Sequence, residues 1–141
     1  MKGYRGSHLH KIDEKGRLGL PAQFRRDGEQ TFVLVHVFPE NLSLFPEEAW
    51  AEVEENLARA MRGTAEERRW ALRVTANTQD VTTDKQGRIL VPQKMQAAVG
   101  IDGAALVVGA LNKIELWNPE RFEAAHGPVQ EDDTLIRGIF G

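Results

Sequence analysis

The chain has no cysteine among its 141 residues, which excludes disulfides, thiol catalysis and thiolate metal sites and is consistent with a cytosolic compartment. It has no apolar run of the roughly 18 residues that a membrane span needs. Its opening residues, Met1-Lys2-Gly3-Tyr4-Arg5-Gly6-Ser7-His8, carry no apolar stretch of the kind that marks a secretory signal. No Ser-His-Asp arrangement with recognisable spacing occurs. Gly16 and Gly19 do not make a nucleotide loop, because no lysine followed by serine or threonine closes the pattern at a strand-to-helix turn. The acidic pairs Glu47/Glu48, Glu54/Glu55 and Glu66/Glu67 fall on outer faces of predicted helices. These absences argue against an enzyme and against a cofactor.

Apolar residues make up 41% of the chain, enough for one domain of this length. The net charge is −3, which by itself argues against a nucleic-acid binder. The distribution argues the other way. Residues 1–26 hold seven basic residues (Lys2, Arg5, Lys11, Lys15, Arg17, Arg25, Arg26) against Asp13 and Glu14, a local charge of +5 that leaves −8 on the other 115 residues. A basic end on an acidic body points either to a polyanion partner or to a solvated face with no partner.

What the chain has in abundance is internal echo. Asp13-Glu14-Lys15-Gly16-Arg17-Leu18-Gly19-Leu20-Pro21 returns 71 residues later as Asp84-Lys85-Gln86-Gly87-Arg88-Ile89-Leu90-Val91-Pro92, with Asp, Gly, Arg and Pro in register. Leu42-Ser43-Leu44-Phe45 returns as Ile114-Glu115-Leu116-Trp117, each block running into Pro-Glu or Asn-Pro-Glu. Two matched blocks in the same order indicate a duplicated unit that packs on itself about a pseudo-two-fold axis.

Within each unit the pattern is strand, turn, strand, short helix, two strands, helix. Residues 7–12 alternate, predicting a half-buried strand with Leu9 facing in. Asp13–Gly16 is turn chemistry, with Gly16 free to take positive φ, so 7–20 reads as a β-hairpin with Glu14 and Lys15 at its tip. Pro21 opens a short helix through Arg26, and Gly28 closes it. Trp50, Val53, Leu57 and Met61 form one helical stripe, and Thr64-Ala65-Glu66-Glu67 is a capping box for a second helix. Trp50, Trp70 and Trp117 are expected in the core or at a subunit interface. The tail after His126, with its acidic run Glu131-Asp132-Asp133, is expected to be loosely ordered, although Leu135, Ile136, Ile139 and Phe140 are apolar enough to dock on something.

The hairpin tip is the first candidate site. Lys15 and Arg17 flank a turn glycine, with Arg5, Lys11 and Arg25 near in sequence. A two-stranded ribbon fits the DNA major groove, and Arg pairs bidentately with guanine. The competing reading is an Asp13–Arg17 salt bridge that only fixes the turn, and the repeated Asp84–Arg88 pair favours it. Both hold if Asp orients Arg. His8 and His10 lie on one strand face and with Asp13 could hold a metal, but such a pair is more often an exposed strand face.

Tyr4-Arg5-Gly6, the block from Asp13 to Arg25 and the block from Asp84 to Pro92 resemble the MraZ proteins of bacteria. These are transcriptional regulators of the division and cell-wall gene cluster, related to the swapped-hairpin AbrB and SpoVT group. The resemblance runs to about Glu123. It implies an α+β fold of two pseudo-symmetric β-hairpin-rich repeats, swapped-hairpin and barrel-like, with intervening and peripheral helices. The expected organisation is one domain over 1–125 made of repeats at about 5–76 and 77–125, followed by a tail at 126–141. The implied function is sequence-specific binding to double-stranded promoter DNA, to repeats upstream of that gene cluster. The expected assembly is a ring of identical subunits, cytoplasmic and nucleoid-associated, with no membrane, small-molecule substrate, metal or cofactor. The family's DNA-contacting motif falls on Asp13, Lys15 and Arg17, and the candidate contacts are Arg5, Lys11, Asp13, Lys15, Arg17, Arg25 and Arg88. Gln86 stands where Lys15 stands in the first copy, which implies a mainly structural role for Asp84 and Arg88. The alternative from another class is an antitoxin-like module that neutralises a partner protein.

Overall fold

The computed structural model describes residues 3–26, 28–128 and 132–141. Lys2 of the basic segment and Glu131 of the acidic run lie outside the described residues. The first half supplies strands β1 (Ser7–Lys11), β2 (Arg17–Gly19), β3 (Thr31–Val35) and β4 (Asn41–Pro46), then helices α1 (Glu47–Met61) and α2 (Ala65–Ala76). The second supplies β5 (Thr78–Thr82), β6 (Arg88–Leu90), α3 (Gln93–Ala98), β7 (Ala104–Gly109), β8 (Ile114–Trp117), α4 (Pro119–His126) and α5 (Asp133–Phe140).

The expected hairpin is swapped. The Asp13–Gly16 turn forms, with Asp13 N–H donating to Arg17 O at 3.0 Å, but the two strands it joins then part. β1 pairs antiparallel with β7, and β2 pairs antiparallel with β6. An isolated bridge between Ile12 and Leu18 is what remains of a local ladder. In the second half β5 likewise leaves β6 to pair with β3. The result is a six-stranded antiparallel sheet, β1-β7-β8-β4-β3-β5, and a separate two-stranded ribbon, β2-β6. The order is palindromic under exchange of the halves: β1 matches β5, β7 matches β3 and β8 matches β4. Each half therefore completes the other's sheet.

The pseudo-axis passes between Leu18 and Ile89, which face each other across the ribbon, and between Ser43 and Glu115, which face each other across β4–β8. Around it lies the main core: Leu18, Phe24, Phe32, Leu34, Leu42 and Leu44 from the first half, with Ile89, Val91, Val107, Ile114 and Leu116 from the second. Leu18 and Ile89 are 0% and 1% exposed. Leu20 N–H donates to Gly87 O at 3.1 Å and Val91 N–H to Gly16 O at 2.8 Å, a symmetric pair that ties each turn to the opposite strand.

A second, smaller core forms only in the first half. Val35, Phe45, Leu57, Ala71 and Val74 are buried there, with Trp50, Val53 and Met61 packed against them, so the predicted stripe on α1 faces the sheet. The pair α1–α2 covers the outer face of β3–β4, which explains why those strands read as continuous apolar runs. The Thr64 capping box is present, with Glu67 N–H donating to Thr64 Oγ1 at 3.1 Å and Thr64 N–H to Glu67 Oε1 at 3.0 Å.

Three expectations are corrected. Leu9 points outward and is 63% exposed, while His8 and His10 take the inward side of β1. That strand is a sheet edge, and His8 is held by a 2.8 Å bond between its Nε2 and Gln23 Nε2 and by edge-on packing against Phe24. The helix after Pro21 is a single 3-10 turn, Ala22–Phe24, because Arg25 is already extended. Of the tryptophans, Trp117 is buried and Trp50 packs against the second core, while Trp70 is 56% exposed on this chain, which leaves it the interface half of its expectation. The tail is not loose throughout: residues 133–140 are helical, capped by Asp132, whose Oδ1 accepts from Thr134 N–H and Leu135 N–H.

Candidate nucleic-acid interface

The ribbon β2-β6 presents one face to the core and one to solvent. Leu18 and Ile89 face in; by strand alternation Arg17, Gly19, Arg88 and Leu90 face out. Arg17 lies opposite Leu90 and Arg88 opposite Gly19, so the two arginines stand at diagonal corners of the outward face. A turn of the same construction sits at each end.

In the first turn the Asp13 carboxylate does three jobs. Its Oδ1 accepts from Lys15 N–H at 3.0 Å and Arg17 N–H at 2.8 Å, and its Oδ2 accepts from Arg17 Nε at 2.6 Å. In the second turn Asp84 repeats them: Oδ1 accepts from Gln86 N–H and Arg88 N–H, each at 2.9 Å, and Oδ2 from Arg88 Nε at 2.9 Å. The backbone N–H of Arg17, and of Arg88 in the second copy, is the main reason both carboxyls titrate below the usual aspartate range; the guanidinium adds to it. Each aspartate thus stays ionised and aims an arginine. The pair engages Nε, so both terminal amino groups remain as donors in the fork geometry that suits guanine or phosphate. Both arginines are about one-third exposed, 38% for Arg17 and 31% for Arg88.

The turns require their glycines. Gly16 has φ +87° and Gly87 φ +76°, a region that costs an L side chain energy. A Cβ on Gly16 would stand 2.7 Å from Val91 O. On Gly87 it would stand 2.4 Å from the Cδ and Nη1 of Arg25.

That last contact shows a feature the sequence did not reveal. Arg25, from the first half, lies over the second turn and donates from Nη1 to Gln86 O at 3.2 Å. Exposed Lys85 occupies the place that Glu14 takes in the first turn. The first turn therefore sets Lys15 and Arg17 against Asp13 and Glu14. The second sets Lys85, Arg88 and the visiting Arg25 against Asp84 alone. The lysine absent at Gln86 is made good by cations from two other positions. Sequence spacing could have flagged Lys85; the 61-residue reach of Arg25 had no local signal.

The remaining candidates are spread along β1. Lys11 is exposed at its end, next to the first turn. Arg5 sits at the other end, its backbone against Gly109. Arg26, part of the basic segment, is engaged elsewhere: it pairs with Glu48 at 3.1 Å and lies over the Tyr4 ring. Among the described residues no group of three or more His, Asp or Glu gathers as a metal site, and no helix is long and apolar enough to cross a membrane.

A chain that exchanges strands between two repeats and aims an Asp-held arginine from each end of a central ribbon has the architecture of a two-repeat swapped-hairpin protein. Comparison with known proteins agrees. The family model described as "MraZ protein, putative antitoxin-like" matches twice, over residues 4–73 and 74–134. The protein "Transcriptional regulator MraZ" of Thermomicrobium roseum is 34% identical over 139 residues, 93% of this chain and 98% of the relative. The protein of the same name from Lachnoclostridium phytofermentans is 36% identical over 121 residues, 86% of this chain and 85% of the relative. That from Deinococcus radiodurans is 33% identical over 127 residues, 90% and 89% respectively. The chain belongs to the MraZ family of transcriptional regulators.

Proposed function

We propose that the chain is a sequence-specific DNA-binding regulator whose contact surface is the outward face of the β2-β6 ribbon with its two turns. It acts without catalysis, cofactor or small-molecule substrate. The observation that carries this reading is the duplicated Asp–Arg pair: two forked donors, each held through its Nε by a carboxylate that also accepts two backbone N–H bonds of its own turn, at diagonal corners of one exposed ribbon. A ribbon of two strands has the width to enter a major groove. Lys11, Lys15, Lys85 and Arg25 supply phosphate contacts, which give most of the affinity, while Arg17 and Arg88 reach base edges, which give sequence choice. Asp13 acts by aiming Arg17. Arg5, at the far end of β1, is assigned a phosphate contact.

The target is double-stranded promoter DNA, in the form of repeats upstream of a division and cell-wall gene cluster. The two repeats of residues 1–125 work as one domain, in the cytoplasm at the nucleoid. One subunit offers few contacts, so identical subunits assemble, in a ring, and multiply them by avidity. Binding to a promoter duplex, measured across 50–200 mM salt, tests the class of partner. Neutralisation of several phosphates makes the affinity fall by orders of magnitude over that range. A flat dependence would contradict the reading and favour the antitoxin-like alternative.

A further inference from the structure

The first and second halves differ most in their helices. In the first, α2 packs on α1 and both cover the sheet. In the second, α4 is short and α5 has no such partner: Leu135 is 61% exposed, Ile136 43%, Ile139 72% and Phe140 82%. These positions, i, i+1, i+4 and i+5, form one stripe. A helix of eight residues is too short to hold itself together in water, where even favourable sequences need about 12–15. Its apolar stripe has to be covered for it to persist.

A complementary surface lies on the first half. A groove of about 310 Å³ opens between α1, α2 and the β3–β4 connection, lined by Phe38, Phe45, Val53, Leu57 and Trp70, with Lys113 at its edge. Phe38 and Trp70 are 52% and 56% exposed. Lys113 Nζ sits over the Phe38 and Phe45 rings at 5.2 and 5.6 Å. The rims carry charge. Glu52 stands one helical turn before the groove residue Asn56 on α1, and Arg73 stands three residues beyond Trp70 on α2, each a neighbour on its helix surface. Helix α5 carries Asp132 and Asp133 at its start and Arg137 between its two apolar pairs. Arg137 suits Glu52, and the two aspartates suit Arg73, while Lys113 is already paired with Glu115 at 3.3 Å.

We propose that α5 of one copy of this chain seats its Leu135–Ile136–Ile139–Phe140 stripe in the α1–α2 groove of a second copy. The inference rests on the self-assembly proposed above and supplies its contact. Because α5 belongs to the second half and the groove to the first, the contact is head-to-tail: each copy offers both surfaces, and repetition of the contact closes a ring or extends a filament. Trp70 becomes an interface residue on this account, which explains why a large aromatic is left on the surface of α2.

Three proteins test it by sedimentation velocity at micromolar concentration: the full chain, an Ile139→Asp/Phe140→Asp variant and a Phe38→Asp/Trp70→Glu variant. All four substituted residues are at least half exposed, so each variant should keep the melting behaviour of its own subunit fold, and a chain ending at Gly127 serves as a second form of the α5 variant. The full chain is expected to be oligomeric and each variant alone to sediment as a single subunit. An equimolar mixture of the two variants is expected to give a two-subunit species and nothing larger, since one intact helix then meets one intact groove. An oligomeric full chain whose variants keep its mass overturns the inference while leaving self-assembly standing. So does a mixture that stays single-subunit, which would place α5 on its own chain. A full chain that is itself a single subunit overturns self-assembly and the inference together.

Discussion

Replacing Arg17 with alanine is expected to weaken promoter binding severely while leaving fold and assembly intact. Arg17 is partly exposed, and its guanidinium is held to Asp13 through Nε alone, so its loss removes a fixed donor fork and not a core contact. The electrostatic consequence is larger than one contact. The first turn sets Lys15 and Arg17 against Asp13 and Glu14, and without Arg17 it turns net negative at the surface that meets phosphate. A lost bidentate base contact costs roughly 1–3 kcal/mol per site, and a lost phosphate contact flattens the salt slope by about one unit. The loss recurs on every subunit of an assembly that binds by avidity. Lys15→Ala is expected to act in the same direction, mainly through the salt slope. Arg88→Ala is expected to weaken binding less than Arg17→Ala, because Lys85 and Arg25 stay beside the vacated position. Equilibrium binding of the three variants to one duplex, with melting temperatures as the control, reads this order. Normal binding by Arg17→Ala would contradict it.

Leu18→Ala is expected to produce the largest loss of stability among single truncations of the ribbon. Leu18 is fully buried where the pseudo-axis crosses β2-β6, facing Ile89. Leu-to-Ala changes in such sites cost about 2–5 kcal/mol, a large share of the roughly 5–15 kcal/mol that holds a domain of ordinary stability. Leu9→Ala is the matched comparison. It is two-thirds exposed on the edge strand and is expected to change stability by no more than about 0.5 kcal/mol. Urea unfolding of both variants reads the difference. Equal effects would mean that the ribbon does not anchor the two halves.

The contrast between those two leucines shows where sequence reasoning ends. Asp13, Gly16, Arg17 and Pro21 announce a turn, its tight glycine, its ion pair and the end of its strand, because each acts on the backbone within a few residues. Their recurrence at Asp84, Gly87, Arg88 and Pro92 announces the duplication for the same reason. The capping box at Thr64 and the stripe on α1 are equally local. Strand partnership is not local. The turn reverses the chain in either case, and β1 joins β7 instead of β2 because the palindromic sheet lets each repeat complete the other, a gain visible only when both are present. The alternation in 7–12 specifies a strand but not which side faces in, since Gln23 and Phe24 hold His8 on the inner side and leave Leu9 on the outer face of an edge. Arg25 crosses to the second turn for a comparable reason: swapping the hairpins carries the segment after each strand over the opposite turn, where Gln96 plays the matching part beside Gly16.

Hydrogen–deuterium exchange with and without a promoter duplex tests the central claim most directly. If the outward face of the ribbon is the DNA-binding surface, added DNA slows exchange in peptides covering residues 11–19 and 84–90 and leaves those from α1 and α2 unchanged. Protection confined to α1 and α2, with both Asp–Arg turns exchanging as in the free protein, would contradict it.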